Sequence, residues 1–579
     1  MNKVNKAINY LSNKYPFFNN CIFQDFIESE STYIEGNILY YKDIPEALLV
    51  VINSVLDNKI TINKPFKTFG TMLDLSRNAC YKVEYIKSII ERSAMQGVNE
   101  IWLYLEDVFD INEPYFGYLR GKYSKFEFME IVEVANTLGV RLVPCIQTLG
   151  HMHQFLRWPY AQNKYADQLS ILMIDNENTY QLIERMIIFF KEVFQTDKIH
   201  IGLDEAFGFG FGRFFKKYGY VDQYLLFIKH LSKVNDICLK HGFNEVLMWS
   251  DMFFRNLSKT NSYYDINIEI PKNYKNDIPS NVNLVYWDYY NTDEKKISAM
   301  LKKHYLLSNN VTFASGLWIW TKLAYDYKKS NQTTKAHFKA IKKENIKDII
   351  FTLWNDDGAY CDFETSFVGL FDMVSNHITT NKLPKKVYEL IFNRKYNKDL
   401  LNCKINEMNI PPIGILWDDP LLAVYINNEM TLGDERIISD LSLLESYKVS
   451  GNNHHKIIKE LIYLKLKNRY NLIKKYQNKE SLDELIPSLL KQEKLLKKLL
   501  ASHKEQWYER NKVFGFEVLE GRYLYLIGRT KECINRIKDY QEGRIDKIDE
   551  LEELPTIHQI LSHRFSNIYS SSKIVDVLV

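Results

Sequence analysis

At 579 residues the chain is too long for one hydrophobic core, and its length points to several domains. Its 46% apolar and 25% charged content is that of a folded globular protein, which excludes a largely disordered chain. Seventy-five basic against 72 acidic residues leave a net charge of +3, too small for the basic field that marks a nucleic-acid partner.

Seven cysteines, at 21, 80, 145, 238, 361, 403 and 533, are odd in number and show no Cys-x-x-Cys spacing. Reduced thiols are expected, not a disulfide frame or a zinc cluster. The first residues carry positive charge without an apolar stretch of signal-peptide length behind them. No run approaches the ~20 apolar residues of a membrane span. A soluble, cytoplasmic protein with no membrane partner is the expectation.

In chain order, residues 1–63 read as a small α/β domain. After a short amphipathic start, Thr32 to Tyr41 alternates like two strands around Gly36-Asn37, and Pro45 to Leu56 follows as a helix. Residues 64–385 then hold a repeating rhythm. Strand-like runs fall at Thr68–Leu75, Glu100–Leu105, Arg141–Ile146, Lys198–Leu203, Glu245–Trp249, Asn283–Trp287, Val311–Ser315 and Asp348–Leu353. Helical stretches separate most of them, at Lys82–Gln96, Lys125–Leu138, Thr179–Phe194, Val221–His241, Asp293–Tyr305 and Thr334–Glu344, while Asp251–Ser280 is long and irregular. Eight strands alternating with helices predict an α/β fold of the (β/α)8 TIM-barrel type. A doubly wound open sheet is the alternative, but no Gly-x-Gly-x-x-Gly or Walker-type loop follows an early strand. Residues 386–579 read as a mainly helical C-terminal domain. Ile413–Val424 is expected to be a loop or short strand, and Ile457–Tyr476, Ser481–Leu500 and Phe514–Glu552 long amphipathic helices. Leu485, Leu489, Leu496 and Leu499 must pack on the barrel or on another subunit, and His454-His455 reads as surface.

A barrel carries its reactive groups at the carboxyl ends of its strands. There the sequence places Asp74 and Arg77, Glu106 and Asp107, Gln147 and His151, Asp204 and Glu205, Trp249 and Asp251, Trp287 with Asp288, Tyr289 and Tyr290, Trp318 and Trp320, and Trp354 with Asp356 and Asp357. Five of the nine tryptophans fall at the ends of four consecutive strands. One tryptophan there can plug the barrel mouth; several on one rim suit an aromatic-walled sugar pocket. Asp204-Glu205 leaves its strand as adjacent carboxylates, whose mutual repulsion can keep one protonated and the other ionised. The same pair could cap the segment that follows.

The flanking residues sharpen that choice. His200-Ile-Gly-Leu-Asp-Glu-Ala206 resembles the signature of the family 20 glycoside hydrolases, the β-N-acetylhexosaminidases, in which strand four ends in His-x-Gly-x-Asp-Glu. Thr71-Met-Leu-Asp-Leu-Ser-Arg77, Leu103-Tyr-Leu-Glu-Asp107, Pro144-Cys-Ile-Gln-Thr-Leu-Gly-His151 and Trp354-Asn-Asp356 are similar to other motifs of that family. Cys145, Gln147, Leu149 and Asp356 depart from its usual residues, as a divergent bacterial intracellular-type subfamily would. The resemblance implies an exo-acting β-N-acetylhexosaminidase that removes terminal GlcNAc or GalNAc by substrate assistance. Glu205 would be the general acid and Asp204 the group that orients the acetamide, with Asp107 and His151 supporting Glu205. Arg77, Trp249, Trp287, Tyr289, Trp318, Trp320, Trp354 and Asp356 would bind the sugar. The implied partner is an oligosaccharide or glycoconjugate with a terminal N-acetylhexosamine, and a homo-oligomer stays open. No cofactor is implied, and His151-Met-His153 lacks a clear third ligand for a metal. Two alternatives remain: a retaining glycosidase with a protein nucleophile, and a non-catalytic carbohydrate-binding barrel.

Overall fold

The computed structural model describes residues 2–356, 358–449 and 453–561. Three short strands near its start, β1 (Asp25–Glu28), β2 (Tyr33–Glu35) and β3 (Ile38–Tyr41), form a sheet of order β1-β3-β2. β2 and β3 are the hairpin expected around Gly36-Asn37. β1, parallel to β3, was not legible, because only one of its four residues is buried and no alternation shows. The helix Ile44–Ser54 follows, its first turn closed by Asp43 accepting from the Glu46 N–H at 2.9 Å.

β4 (Thr68–Asp74), β5 (Glu100–Tyr104) and β6 (Arg141–Cys145) are followed by a small hairpin, β7 (Ala166–Gln168) with β8 (Ile171–Leu172). Then come β9 (Lys198–His200), β10 (Glu245–Trp249), β11 (Val282–Trp287), β12 (Val311–Gly316) and β13 (Asp348–Leu353). All but β7 and β8 pair in parallel and close on themselves in the order β4-β5-β6-β9-β10-β11-β12-β13, with β13 returning to β4. The predicted strands and helices hold to within a few residues, with one exception. The helix Tyr327–Lys343 begins a full two turns before Thr334, capped by Asp326 on the Lys329 N–H; its first turns are lysine-rich and lack the apolar spacing that would have announced them.

Strand residues alternate between two cores. Met72, Trp102, Tyr104, Val143, Cys145, Leu247, Trp249, Val285, Ala314, Ile350 and Trp354 face inward and fill the barrel. Their outward neighbours, such as Ile101, Leu103, Val246, Leu284 and Phe351, join a larger core shared with the surrounding helices. At the barrel floor Lys198 is buried between Glu100 and Glu245, at 2.9 and 3.2 Å, so the one lysine sealed there is neutralised.

Beyond the barrel, Pro412–Trp417 is helical where a loop or short strand was expected; Pro412 occupies the first helical position, which needs no N–H donor. Three long helices, Asn453–Gln477, Ile486–Arg510 and Phe516–Gln541, pack side by side. The third stops at Gln541, and a short helix Asp549–Glu552 follows instead of the continuous run expected. Leu485 and Leu489 pack on Leu472, Ile534 and Ile537 of the neighbouring helices, and Leu496 and Leu499 join the core that runs on into the barrel's outer shell. His454 and His455 are buried, not on the surface. They lead at helical spacing into Ile458, Leu461 and Ile462, so they continue the buried stripe, and His455 Nε2 sits 2.8 Å from Asp362 Oδ2. All seven cysteines are unpaired. Among the described residues no helix is long and apolar enough to cross a membrane.

Candidate active site

The alternation that fills the barrel also aims the residues above it. Two residues beyond the inward-facing Met72, Tyr104, Cys145, Trp249 and Trp354 stand Asp74, Glu106, Gln147, Asp251 and Asp356, while Tyr289 and Trp318 belong to the inner core itself. A regular strand would send Asp204 and Glu205 to opposite sides. Here Gly202, Leu203 and Glu205 all adopt left-handed backbone, with φ of 76°, 73° and 45°, and both carboxylates reach one cavity. Gly202 admits no alternative: a Cβ there would lie 2.2 Å from Gln147 Oε1 and 2.7 Å from the Ile146 carbonyl. Two non-glycine residues held left-handed, each at a cost of order 1–3 kcal/mol, mark a segment shaped for something other than stability.

The cavity, about 620 Å³, opens at the carboxyl ends of the strands. Asp204 is buried beneath it. Its Oδ1 accepts from Gln147 Nε2 at 2.8 Å and its Oδ2 pairs with His151 Nε2 at 3.0 Å. The second contact is an ion pair whose geometry falls short of a hydrogen bond, and the same nitrogen lies 3.5 Å from Glu205 Oε2. Burial raises the Asp204 pKa, but the charge of His151 and the donor from Gln147 outweigh it and bring it down to about 2. Burial likewise pushes His151 down, and Asp204 overcomes it to hold the imidazolium up to about 9. Asp204 and His151 therefore stand as a charged pair across the neutral range. Glu205, by contrast, keeps about a third of its side chain exposed to the cavity.

Two residues grip Glu205: Asp251, placed at a strand end by the sequence but given no role there, and Tyr263, which the sequence did not single out. Asp251 Oδ2 accepts from its backbone N–H at 3.0 Å, and the Tyr263 hydroxyl donates to its Oε1 at 3.0 Å. Asp251 is buried, and burial together with the neighbouring charge of Asp204 pushes its pKa up to about 8. Its other oxygen accepts from Trp287 Nε1 at 3.3 Å, joining the Glu205 backbone to the cavity's aromatic wall. Asp251 lies two residues beyond the inward-facing Trp249, at the strand end where the sequence placed it. Tyr263 had no signal, since it comes from the irregular segment between β10 and β11.

Opposite the acids, Arg77 lies 4.3 Å over the Trp354 ring and 5.3 Å over Tyr104. It is bound to Asp356 and stands 3.8 Å from both Asp74 and Glu106. Asp74 accepts from the Ser76, Arg77 and Asn355 N–H groups, stapling the ends of β4 and β13 together. Of the sugar-binding residues expected from sequence, Arg77, Trp249, Trp287, Tyr289, Trp320, Trp354 and Asp356 all line the cavity. Trp318 does not line it. It is stacked behind Trp320 at 4.0 Å, donates to the Tyr289 carbonyl, and carries Lys329 3.5 Å from its ring centre. Asp357 lies outside the described residues.

Asp107 departs from expectation. It touches neither Glu205 nor His151 and instead accepts from Arg120 Nε at 3.2 Å. Both acids lie beyond the end of β5, and Arg120, 3.2 Å from Asp107, also stands 3.8 Å from Glu106 Oε2. Glu106 lines the cavity, with burial raising its pKa more than Arg77 and Arg120 lower it. Among the described residues no group of three or more His, Cys, Asp or Glu is arranged to hold a metal ion.

Comparison with known proteins bears directly on this cavity. Residues 112–354 match the glycosyl hydrolase family 20 catalytic domain, and residues 408–566 match the glycoside hydrolase 20C C-terminal domain. With its closed parallel barrel, the protein is a glycoside hydrolase. The chain belongs to family 20. Its catalytic match begins after β5, so Arg77 and Glu106 lie outside it and enter the cavity only because the barrel closes. Hexosaminidase D of Bos taurus is 26% identical over 267 residues, covering 44% of this chain and 70% of that protein. Hexosaminidase D of Homo sapiens is 27% identical over 182 residues, covering 31% and 35%. Among solved structures, a GH20 exo-β-N-acetylglucosaminidase from Vibrio harveyi in complex with N-acetylglucosamine superposes with a TM-score of 0.49 at 13% identity, over 69% of this chain and 72% of that one.

Proposed function

We propose that the protein is an exo-β-N-acetylhexosaminidase that releases terminal β-linked GlcNAc or GalNAc with retention, using the substrate's own acetamide as nucleophile. The observation that carries this reading is the state of Asp204. Both of its oxygens are engaged, by Gln147 and His151, and its charge is held through the neutral range. A carboxylate so tied is suited to standing beside a developing positive charge, not to leaving its partners to attack carbon. In the mechanism, Glu205 protonates the glycosidic oxygen as the bond to the anomeric carbon breaks. The acetamido oxygen closes on that carbon to give an oxazolinium ion, whose N–H faces Asp204. Glu205, now a base, takes a proton from water as the water oxygen opens the ring. Trp249, Tyr289 and Trp354 offer an apolar wall for the acetamide methyl, and Arg77 with Asp356 offers a donor and an acceptor for the ring hydroxyls. His151 acts on both acids at once, as the cation between them.

A cyclic thiazoline that mimics the oxazolinium ion separates this mechanism from one with a protein nucleophile. It should bind far more tightly than GlcNAc, since mimics of transition states and intermediates gain ~10²–10⁸-fold over substrates. Asp204→Ala should remove most of that advantage. Thiazoline binding no tighter than GlcNAc, with a fluorinated sugar trapped covalently on a carboxylate, would establish the other mechanism.

A further inference from the structure

The turn between the long helices Ile486–Arg510 and Phe516–Gln541 docks against the chain leaving β4. Asn511 and Tyr81 form an antiparallel bridge, flanked by two backbone hydrogen bonds. The Lys82 N–H donates to the Arg510 carbonyl at 2.8 Å, and the Lys512 N–H to the Cys80 carbonyl at 2.7 Å. Trp507 Nε1 donates to the Lys512 carbonyl at 3.0 Å and ties the turn to its own helix.

At the cavity wall this contact passes through one side chain. Asn78 follows Arg77 directly, lines the cavity and is 9% exposed. Its Nδ2 donates to the Gly515 carbonyl at 2.9 Å and to the Gly358 carbonyl at 3.1 Å. Gly358 stands two residues after Asp356 and also lines the cavity. A single carboxamide therefore joins the loop that bears Arg77, the segment that bears Asp356 and the C-terminal helical region. The approach is close enough to dictate residue type: Gly515 has φ of 102°, and a Cβ there would lie 2.2 Å from the Asn78 carbonyl oxygen. Arg522, on the helix Phe516–Gln541, meets the same segment, since a Cβ at Gly358 would lie 3.5 Å from its Nη1.

We infer that Asn78 is a positioning residue through which the C-terminal helical region fixes the Arg77–Asp356 pair, a role that rests on the reading above in which that pair meets the ring hydroxyls of the terminal sugar. Arg77 and Asp356 sit beyond the ends of two different strands, β4 and β13, and a guanidinium fork recognises hydroxyls only if it is held to a fraction of an ångström. Asp74 joins the two strand ends below the pair, and Asn78 joins the loops beside it. Hydrogen bonds to backbone carbonyls give that joint a direction, which apolar packing would not. The helical region thus serves hydroxyl recognition in the barrel instead of acting as an independent module.

The test compares kcat/KM for an aryl β-N-acetylglucosaminide and its 3,4-dideoxy analogue in the wild type, Asn78→Ala and Arg522→Gln, with thermal melts to show that each protein is folded. Loss of the hydroxyls should cost the wild type about 10–100-fold, the range of a hydrogen bond to a charged group. Asn78→Ala should shrink that ratio to about threefold or less by slowing the full substrate while leaving the analogue within about twofold, since a misplaced fork penalises only the substrate that uses it. Arg522→Gln changes a side chain that is only partly buried. It should shrink the ratio in the same direction, and it decides the matter if Asn78→Ala fails to fold. Equal losses on both substrates, or a ratio unchanged in the folded variants, overturn the inference and leave the contact structural only. A wild type that treats the two substrates alike defeats the hydroxyl-binding reading of Arg77 and Asp356 itself, and the positioning role falls with it.

Discussion

Two buried aspartate–histidine pairs in this molecule look alike and serve different ends. Asp204 and His151 stand 3.0 Å apart at the mouth of the barrel; Asp362 and His455 stand 2.8 Å apart where the helix Asn453–Gln477 meets the segment after β13. Both aspartates are held ionised against the cost of burial, Asp204 chiefly by His151 and Asp362 chiefly by Arg510 at 2.7 Å. What differs is what surrounds them. Asp362 is enclosed, with His455 only 3% exposed, and it joins a sealed network with Arg510 beside the Arg92–Glu364 pair. His151 keeps 20% of its side chain open to a cavity, its nitrogen makes no good hydrogen bond, and a second carboxyl side chain, that of Glu205, lies 3.5 Å away. A perturbed pKa is therefore common to a structural seam and to a site. An unfinished set of partners facing a cavity belongs to the site alone.

The largest expected effect breaks the site and spares the seam. Glu205→Gln should lower turnover of natural glycosides by about 10²–10⁴-fold, the usual contribution of a general acid, with less loss on substrates whose leaving group needs no proton. Equal losses on both, measured as initial rates, would mean that Glu205 does not deliver a proton.

A crossed pair of substitutions sharpens the contrast. Asp204→Asn should cost about 10²–10³-fold in kcat, as loss of a group stabilising developing charge does. Asp362→Asn should instead cost stability, up to about 3–5 kcal/mol, because Arg510 and His455 would be left buried without their anion. Activity assays and denaturant titrations of both proteins give the answer. Asp204→Asn destabilising more than Asp362→Asn would reverse the assignment of roles.

Titration tells on the open pair. The folded pKa of His151, about 9, lies above its unfolded value, so its contribution to stability is complete below pH ~6.5 and fades as pH rises through 9. Asp204, depressed to about 2, contributes fully above pH ~3.8 and loses that only as pH falls through 2. Activity should accordingly fall on the alkaline side near pH 9 as the imidazolium between the two acids is lost. His151→Gln should remove that limb from the pH-rate profile; an unchanged limb would take His151 out of it.

Much of the barrel was legible because its strands are buried on both faces and bounded by helices of clear period, so the eight runs stood out without any structure. The site was legible at Asp204, Glu205, Arg77 and the tryptophan rim for the same reason: they sit where strands end. His455 was not, because a histidine beside another in a lysine-rich helix reads as surface until the barrel is packed against it. Tyr263 was not, because nothing in the long irregular segment between β10 and β11 fixes which side chain turns inward. Asp107, expected beside Glu205 and His151, is bound to Arg120 instead, while Glu106, two residues beyond Tyr104, lines the cavity.

These two neighbouring acids yield the smallest effect and the most direct test of which carboxylate beyond β5 serves the cavity. Glu106 lies 3.8 Å from Arg77 and lines the cavity, whereas Asp107 does not line it and accepts from Arg120. Glu106→Gln keeps the shape of the side chain and removes one of the negative charges around Arg77. It should change KM several-fold, roughly the 1 kcal/mol of one partly buried charge pair, and move the pH profile. Asp107→Asn should lower stability by a similar ~1 kcal/mol through Arg120 and leave the pH profile where it was. If instead Asp107→Asn shifted the profile and Glu106→Gln did not, Asp107 would be reaching the acids through Arg120, and a place in the cavity lining would not decide which carboxylate serves the site.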